Sequence, residues 1–157
     1  MLKIRFIVVD RTRAKFLNEG EKVYLNRLKR HVRLEWIEVK PARIKKGRPE
    51  KDIIAEEGNA ITRRLASRDY LVALDPLGKQ YDSVEFSCWL EKLSASQTGW
   101  VNFIIGGPLG LSREILNRAD DVISLSRLTF PHEMCRLFLI EQTYRAFTIM
   151  NGTKYHK

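Results

Sequence analysis

Short apolar runs alternate with helix-spaced apolar patterns from one end of the chain to the other, and this limits the possible folds more than any other feature. Leu2 to Val9 reads as a strand, and Phe16, Leu17, Val23, Tyr24, Leu25 and Leu28 then predict a helix over roughly Lys15 to Arg30. Val32, Leu34 and Trp36 alternate with Arg33 and Glu35, the period of a second strand. Ile53, Ile54, Ile61 and Leu65 predict a helix from about Glu50 to Ser67. Tyr70 to Leu74 is continuously apolar, as in a central parallel strand, and Asp75-Pro76-Leu77-Gly78 breaks it. Asp82 or Ser83, with Glu85 beyond, has the form of a capping box for the next helix. Val101 to Ile105 is another buried strand, Ser112 to Ala119 a short helix with its cap, Val122 to Leu125 a last strand, and His132 to Met150 a long final helix stopped by Asn151-Gly152. Such alternation predicts one α/β domain over residues 1–157, with a mostly parallel sheet flanked by helices.

Charge narrows the partners. Lys and Arg number 28 against 19 Asp and Glu, a formal net charge of +9, which favours a polyanion. No apolar run approaches the roughly 20 residues that span a bilayer, so a membrane partner is not expected. Lys3 and Arg5 interrupt the first apolar stretch, which reads as a strand and not as a signal-peptide core. Cys88 and Cys135 are far apart and without metal-ligand spacing. They are expected to be buried structural thiols, with no metal site, in a reducing cytoplasm. Lys40, Arg43, Lys45, Lys46 and Arg48 surround Pro41, Gly47 and Pro49 in a basic loop, the candidate RNA contact.

In parallel sheets ligands bind beyond the carboxyl ends of the strands, so the loops after Leu74, Ile105 and Leu125 are the candidate pocket. Gly106-Gly107-Pro108-Leu109-Gly110 lets backbone approach a ligand closely, but has neither dinucleotide-fingerprint nor P-loop spacing. On its own it reads more often as a tight strand-to-helix turn than as a binding loop. Ser126 to Pro131 is semi-apolar; it suits backbone contacts to an adenine edge with Leu128 and Phe130 on its face, or an ordinary connection. On the last helix Glu141 and Arg145 stand four apart and can pair, while Arg136 and Arg145 are candidates for phosphate. The tail carries Tyr155 and His156, a flat ring for a base and a proton acceptor near neutral pH.

Phe103 to Pro108 with Gly110-Leu111-Ser112, Ser124 to His132, and Tyr144-Arg145-Ala146 with Tyr155-His156-Lys157 together resemble the ribosomal large-subunit RNA methyltransferase H family, minimal SPOUT proteins. The Leu74-Asp75…Gly78-Lys79 stretch and the chain length also fit, so the resemblance covers essentially the whole chain. Leu109 departs from the family pattern, which has Glu or Asn there; the backbone turn is unaffected. The resemblance implies a C-terminal trefoil knot, a cytoplasmic homodimer with its active site at the subunit interface, and methylation of N3 of a pseudouridine in 23S RNA, with the ribosome as substrate. It implies S-adenosylmethionine contacts at Leu74, Gly106, Leu125, Ser126, Arg127, Leu128, Thr129 and Phe130. His132 or His156 would accept the proton, Arg145 or Arg136 would meet the anion or a phosphate, and Tyr155 would stack on the base.

Two other readings use the same features. A non-catalytic RNA-binding module explains the charge and predicts no saturable S-adenosylmethionine binding. A flavodoxin-like nucleotide-binding protein explains the alternation and predicts a monomer with a coloured or phosphate-bearing ligand.

Overall fold

The computed structural model describes all of residues 1–157. Its elements run β1 (Lys3–Val9), α1 (Lys15–Leu28), β2 (Arg33–Val39), α2 (Glu50–Thr62), β3 (Tyr70–Gln80), α3 (Ser83–Ser96), β4 (Trp100–Ile105), α4 (Arg113–Arg118), β5 (Asp121–Ser124) and α5 (His132–Met150). The five strands form one sheet in the order β2-β1-β4-β3-β5. Every neighbouring pair is parallel.

Period-2 alternation divides the strand side chains between two cores. Ile4, Phe6, Val8, Val101, Phe103 and Ile105 pack beneath residues of α1, α3 and α5, including Leu28, Leu90, Leu139 and Ile140. Ile7, Val9, Val39 and Ile104 point the other way, onto Ile61 of α2 and Ile115 of α4. The central strands are thus apolar on both faces, which is why their sequences read as continuous runs. The Asp82 carboxylate accepts the Glu85 N–H while the Glu85 carboxylate accepts the Asp82 N–H, completing the capping box. No helix is long and apolar enough to cross a membrane.

Two boundaries differ from the sequence expectation. The helix expected to reach Ser67 ends at Thr62, because Asp69 pulls the chain aside by accepting from the Ala66 and Trp100 N–H groups. The break at Asp75 to Gly78 does not end β3: Leu74 and Lys79 both pair with Ile123, so the four intervening residues leave the ladder and the strand resumes. Gly78 makes this possible, since a Cβ there would lie 2.5 Å from the Ile123 carbonyl carbon. The 74–79 excursion therefore presses directly on β5.

Candidate active site

The carboxyl ends of β3, β4 and β5 lead into the three loops singled out above, and these enclose a pocket of about 390 Å³. Its volume falls in the roughly 300–1,000 Å³ range of small-molecule sites. Leu74, Gly106, Leu125, Ser126, Leu128, Thr129 and Phe130 all line it. Arg127 does not: its side chain is exposed and outside the pocket wall, because the turn at Ser126 to Leu128, closed by Ser126 Oγ accepting the Leu128 N–H, directs it to solvent.

The N–H groups of Ser126, Arg127, Thr129 and Phe130 have no hydrogen-bond partner within the chain. Unpaired backbone donors beside apolar walls formed by Leu74, Ile105 and Leu125 suit a flat heteroaromatic ligand with polar edges. Gly106 serves the tight turn as well as the pocket wall. A Cβ there would meet the Gly110 backbone at 2.7 Å, so glycine is required by the fold-back of the loop on itself. The Gly107–Gly110 bridge closes this turn, and Gly110, with φ of 82°, takes the conformation that favours glycine.

The first turn of α5 forms one wall of the pocket through Pro131, His132 and Cys135. Burial, and then the Arg136 charge one turn away, hold the His132 imidazole below its ordinary value and favour the neutral ring. Arg136 itself is fully buried. It donates to the Val9 carbonyl and, at 2.9 Å, to Thr12 Oγ1, whose hydroxyl donates at 2.7 Å to Glu21. It is sequestered in the core, which corrects the expectation that it meets phosphate. Glu133 accepts the Arg13 and Ala14 N–H groups, so the turn after β1 and the start of α5 are tied together twice. Cys88 is exposed and Cys135 half-buried against the pocket, which corrects the expectation of two core thiols.

The remaining catalytic candidates lie elsewhere. Arg145, Tyr155 and His156 gather around Glu141 near the far end of α5. Arg145 lies 13 positions along the helix from His132, about 20 Å at 1.5 Å per residue. Arg145 donates from Nε and Nη2 to Glu141 Oε1, at 3.1 and 2.6 Å. The Tyr155 hydroxyl donates to the same oxygen at 2.9 Å and lies 3.2 Å from the Tyr24 hydroxyl. The Arg145 guanidinium sits 4.7 Å from the Tyr155 ring centroid, and Tyr144 meets that ring edge-on at 5.0 Å. Tyr155 is thus already engaged, not an unoccupied stacking surface. Burial, then its bonds to Tyr24 and Glu141, push its phenol up and keep it protonated. His156 is half-buried with Nδ1 3.4 Å from Arg145 Nη1.

A second cavity, of about 480 Å³, shares Ser124, Leu125, Ser126 and Phe130 with the first and reaches Glu141 and Gln142 along α5. Sequence reasoning placed Tyr24 on the first helix but missed any role for it, since among the apolar residues of α1 it reads as core. Glu141 was visible only as a partner for Arg145.

Of the basic loop, Lys40, Arg43, Lys45 and Lys46 are exposed. Arg48 is half-buried, donating to the Arg43 carbonyl and pairing with Glu56, so it shapes the loop from inside. The loop follows the carboxyl end of β2, the edge strand opposite β5, so it lies at the same end of the parallel strands as the pocket but across the sheet from it.

Residues 2–156 match the family model described as a predicted SPOUT methyltransferase. The chain is 39% identical over 159 residues to the ribosomal RNA large subunit methyltransferase H of Streptococcus thermophilus, covering 99% of this chain and 100% of that protein. It is 40% identical over 161 residues to the protein of the same name from Desulfitobacterium hafniense, with both chains fully covered. Among solved structures, a probable methylase family protein from Haemophilus influenzae superposes with a TM-score of 0.60 at 14% identity, covering 100% of this chain and 72% of that one. A probable methyltransferase from Bordetella pertussis gives a TM-score of 0.57 at 14% identity, covering 92% and 93%. At that identity the two structures speak to the fold alone.

Proposed function

Because the chain belongs to the SPOUT methyltransferase family, we propose that it transfers a methyl group from S-adenosylmethionine to N3 of a pseudouridine in large-subunit (23S) ribosomal RNA. The observation that carries this reading is the pocket at the ends of β3, β4 and β5, with unpaired N–H groups beside apolar walls and a half-buried histidine on its rim. The full-length likeness to proteins named for that RNA supports the substrate. When bound, S-adenosylmethionine supplies a methyl already activated by its sulfonium charge, so no residue needs to protonate a leaving group.

The chain's own residues have three tasks. Leu74, Leu125 and Phe130 exclude water around the donor's adenine, and the free N–H groups of the 126–130 loop meet its polar edge. His132, kept neutral by its surroundings, accepts the proton from the ring nitrogen. Arg145 balances the charge that develops on the base or binds an adjoining phosphate. Arg145 and His132 stand at opposite ends of α5, so the second and third tasks belong to different copies. In this reading the enzyme is a homodimer in which the tail cluster of one subunit completes the pocket of the other. Phe16 and Val23 on α1 and Phe138 on α5 are exposed by 66%, 47% and 39%, an apolar area suited to that contact.

The same reading includes the trefoil knot. The close packing of the 74–79 excursion on β5, just before the chain turns into α5, supports that part of the reading. It also places the enzyme in the cytoplasm with the assembled ribosome as substrate, since a single domain of this size offers little surface with which to read an RNA alone. Calorimetry with S-adenosylmethionine tests the pocket: saturable binding is expected, whereas a bare RNA-binding module shows none. Tritiated methyl transfer to intact ribosomes and to separated subunits tests the substrate, with intact particles expected to be the better acceptor.

A further inference from the structure

The tail is the one segment whose residue types suggest chemistry but whose ring is already occupied. The last helix ends where Gly152 takes a φ of 62°. The chain then folds back so that Tyr155 reaches α1 and α5 together. Its hydroxyl sits between the Tyr24 hydroxyl, 3.2 Å away, and Glu141 Oε1, 2.9 Å away. Its ring is flanked by the Arg145 guanidinium and the edge of Tyr144. Tyr24 is braced in turn by Tyr144 at 6.1 Å and by the Arg27 guanidinium at 5.3 Å. Five residues after a helix stop are too few to hold a shape alone, so an ordered tail needs such an anchor.

We infer that Tyr24 and Glu141 form a clasp on the Tyr155 hydroxyl, and that Tyr155 is a positioning residue that fixes His156 against Arg145. This rests on the methyltransferase reading above, and it reassigns Tyr155 within it. A stacking tyrosine needs its ring and not its hydroxyl, whereas a clasped tyrosine needs the hydroxyl. A phenylalanine in its place therefore separates the two roles. The clasp also gives Tyr24, which lies outside the tail, a defined effect on turnover. Its hydroxyl contributes by holding the tail in place before RNA arrives, so that binding need not order it.

The experiment compares wild type, Tyr24→Phe, Tyr155→Phe and the double variant. Each is assayed for steady-state methylation of ribosomes at saturating S-adenosylmethionine, and for backbone ¹⁵N heteronuclear NOE at His156 and Lys157. The clasp predicts a kcat lower by roughly tenfold or more in Tyr155→Phe, which loses a hydrogen bond to a charged group, and by about two- to tenfold in Tyr24→Phe, which loses a neutral one. KM for ribosomes and cofactor affinity should hold, and the double variant should be no slower than Tyr155→Phe. The NOE at His156 should fall in all three. Tyr155→Phe with wild-type kcat, additive losses in the double variant, or unchanged NOE values would each overturn the inference. A mobile tail with unchanged kcat would overturn the positioning role. Failure of wild-type protein to methylate ribosomal RNA, with the tail still ordered and still released by Tyr24→Phe, would instead sink the proposed function and leave the clasp standing.

Discussion

Replacing Arg136 by methionine is expected to destabilise the protein by about 3–5 kcal/mol at neutral pH, the range for removing one partner from a buried charged network. The structure sets this magnitude. Arg136 is fully buried, and its guanidinium serves the Val9 carbonyl and Thr12 Oγ1. Thr12 passes the contact on to Glu21, only 3% exposed. Methionine matches much of the arginine's length but leaves that carbonyl short of a donor and Glu21 without its compensating cation. Burial already pushes the Glu21 carboxyl up, opposed by the Thr12 bond and the Arg136 charge. Without Arg136 it rises further. A carboxyl raised in the folded state contributes its stability fully below its unfolded value of about 4.3 and loses it as pH climbs through the folded one. The defect should therefore be largest at neutral pH and shrink on acidification. Urea unfolding followed by circular dichroism, at one fixed protein concentration, measures it. Adding Glu21→Gln should recover part of the loss. A single variant within about 1 kcal/mol of wild type at pH 7.5, or no recovery in the double, would refute the reasoning.

Three further outcomes follow from the site. Reversing Lys45 and Lys46 to Glu should weaken ribosome binding and flatten its salt dependence while leaving cofactor affinity alone; unchanged affinity and slope would make the loop a solvated surface. If His132 takes the proton, the single-turnover rate should fall on acidification with a midpoint below about 6.5, because burial and Arg136 hold that imidazole down; His132→Asn should remove that limb, and a limb that survives the substitution belongs to another group. Mixing a His132→Ala subunit with one lacking residues 155–157 should restore transfer that neither homodimer shows, since one intact pocket then meets one intact tail; no recovery in verified mixed dimers would return the tail to its own subunit's chemistry.

How much of this was legible in the sequence depended on whether the signal was local. Strands buried on both faces announce themselves by unbroken apolar runs, and the Asp82–Glu85 box and the stop at Gly152 are written in neighbouring residues. The three pocket loops were legible because strand ends collect ligands in any parallel sheet. What depended on distant chain did not show. Leu74 and Lys79 both pair with Ile123, so an apparent strand end is a bulge. Arg136 and Arg145 look alike on the helix, yet one points into the core toward Thr12 and the other to the rim beside Glu141. Tyr24 gave no sign of its role, because its partner Tyr155 lies 131 residues away. Gly106 was legible as a tight turn or a close approach to ligand, but that Gly110 backbone is the neighbour that forbids a side chain there was not.

The most direct test of the central claim is the identity of the methylated product. Purified protein, [methyl-³H]S-adenosylmethionine and ribosomes from a strain lacking the activity are incubated, and the RNA is digested to nucleosides for mass spectrometry. One methyl per ribosome is expected, in the large-subunit RNA, on a pseudouridine at N3. Label confined to another nucleoside, or no label from protein that binds the donor saturably, would contradict it.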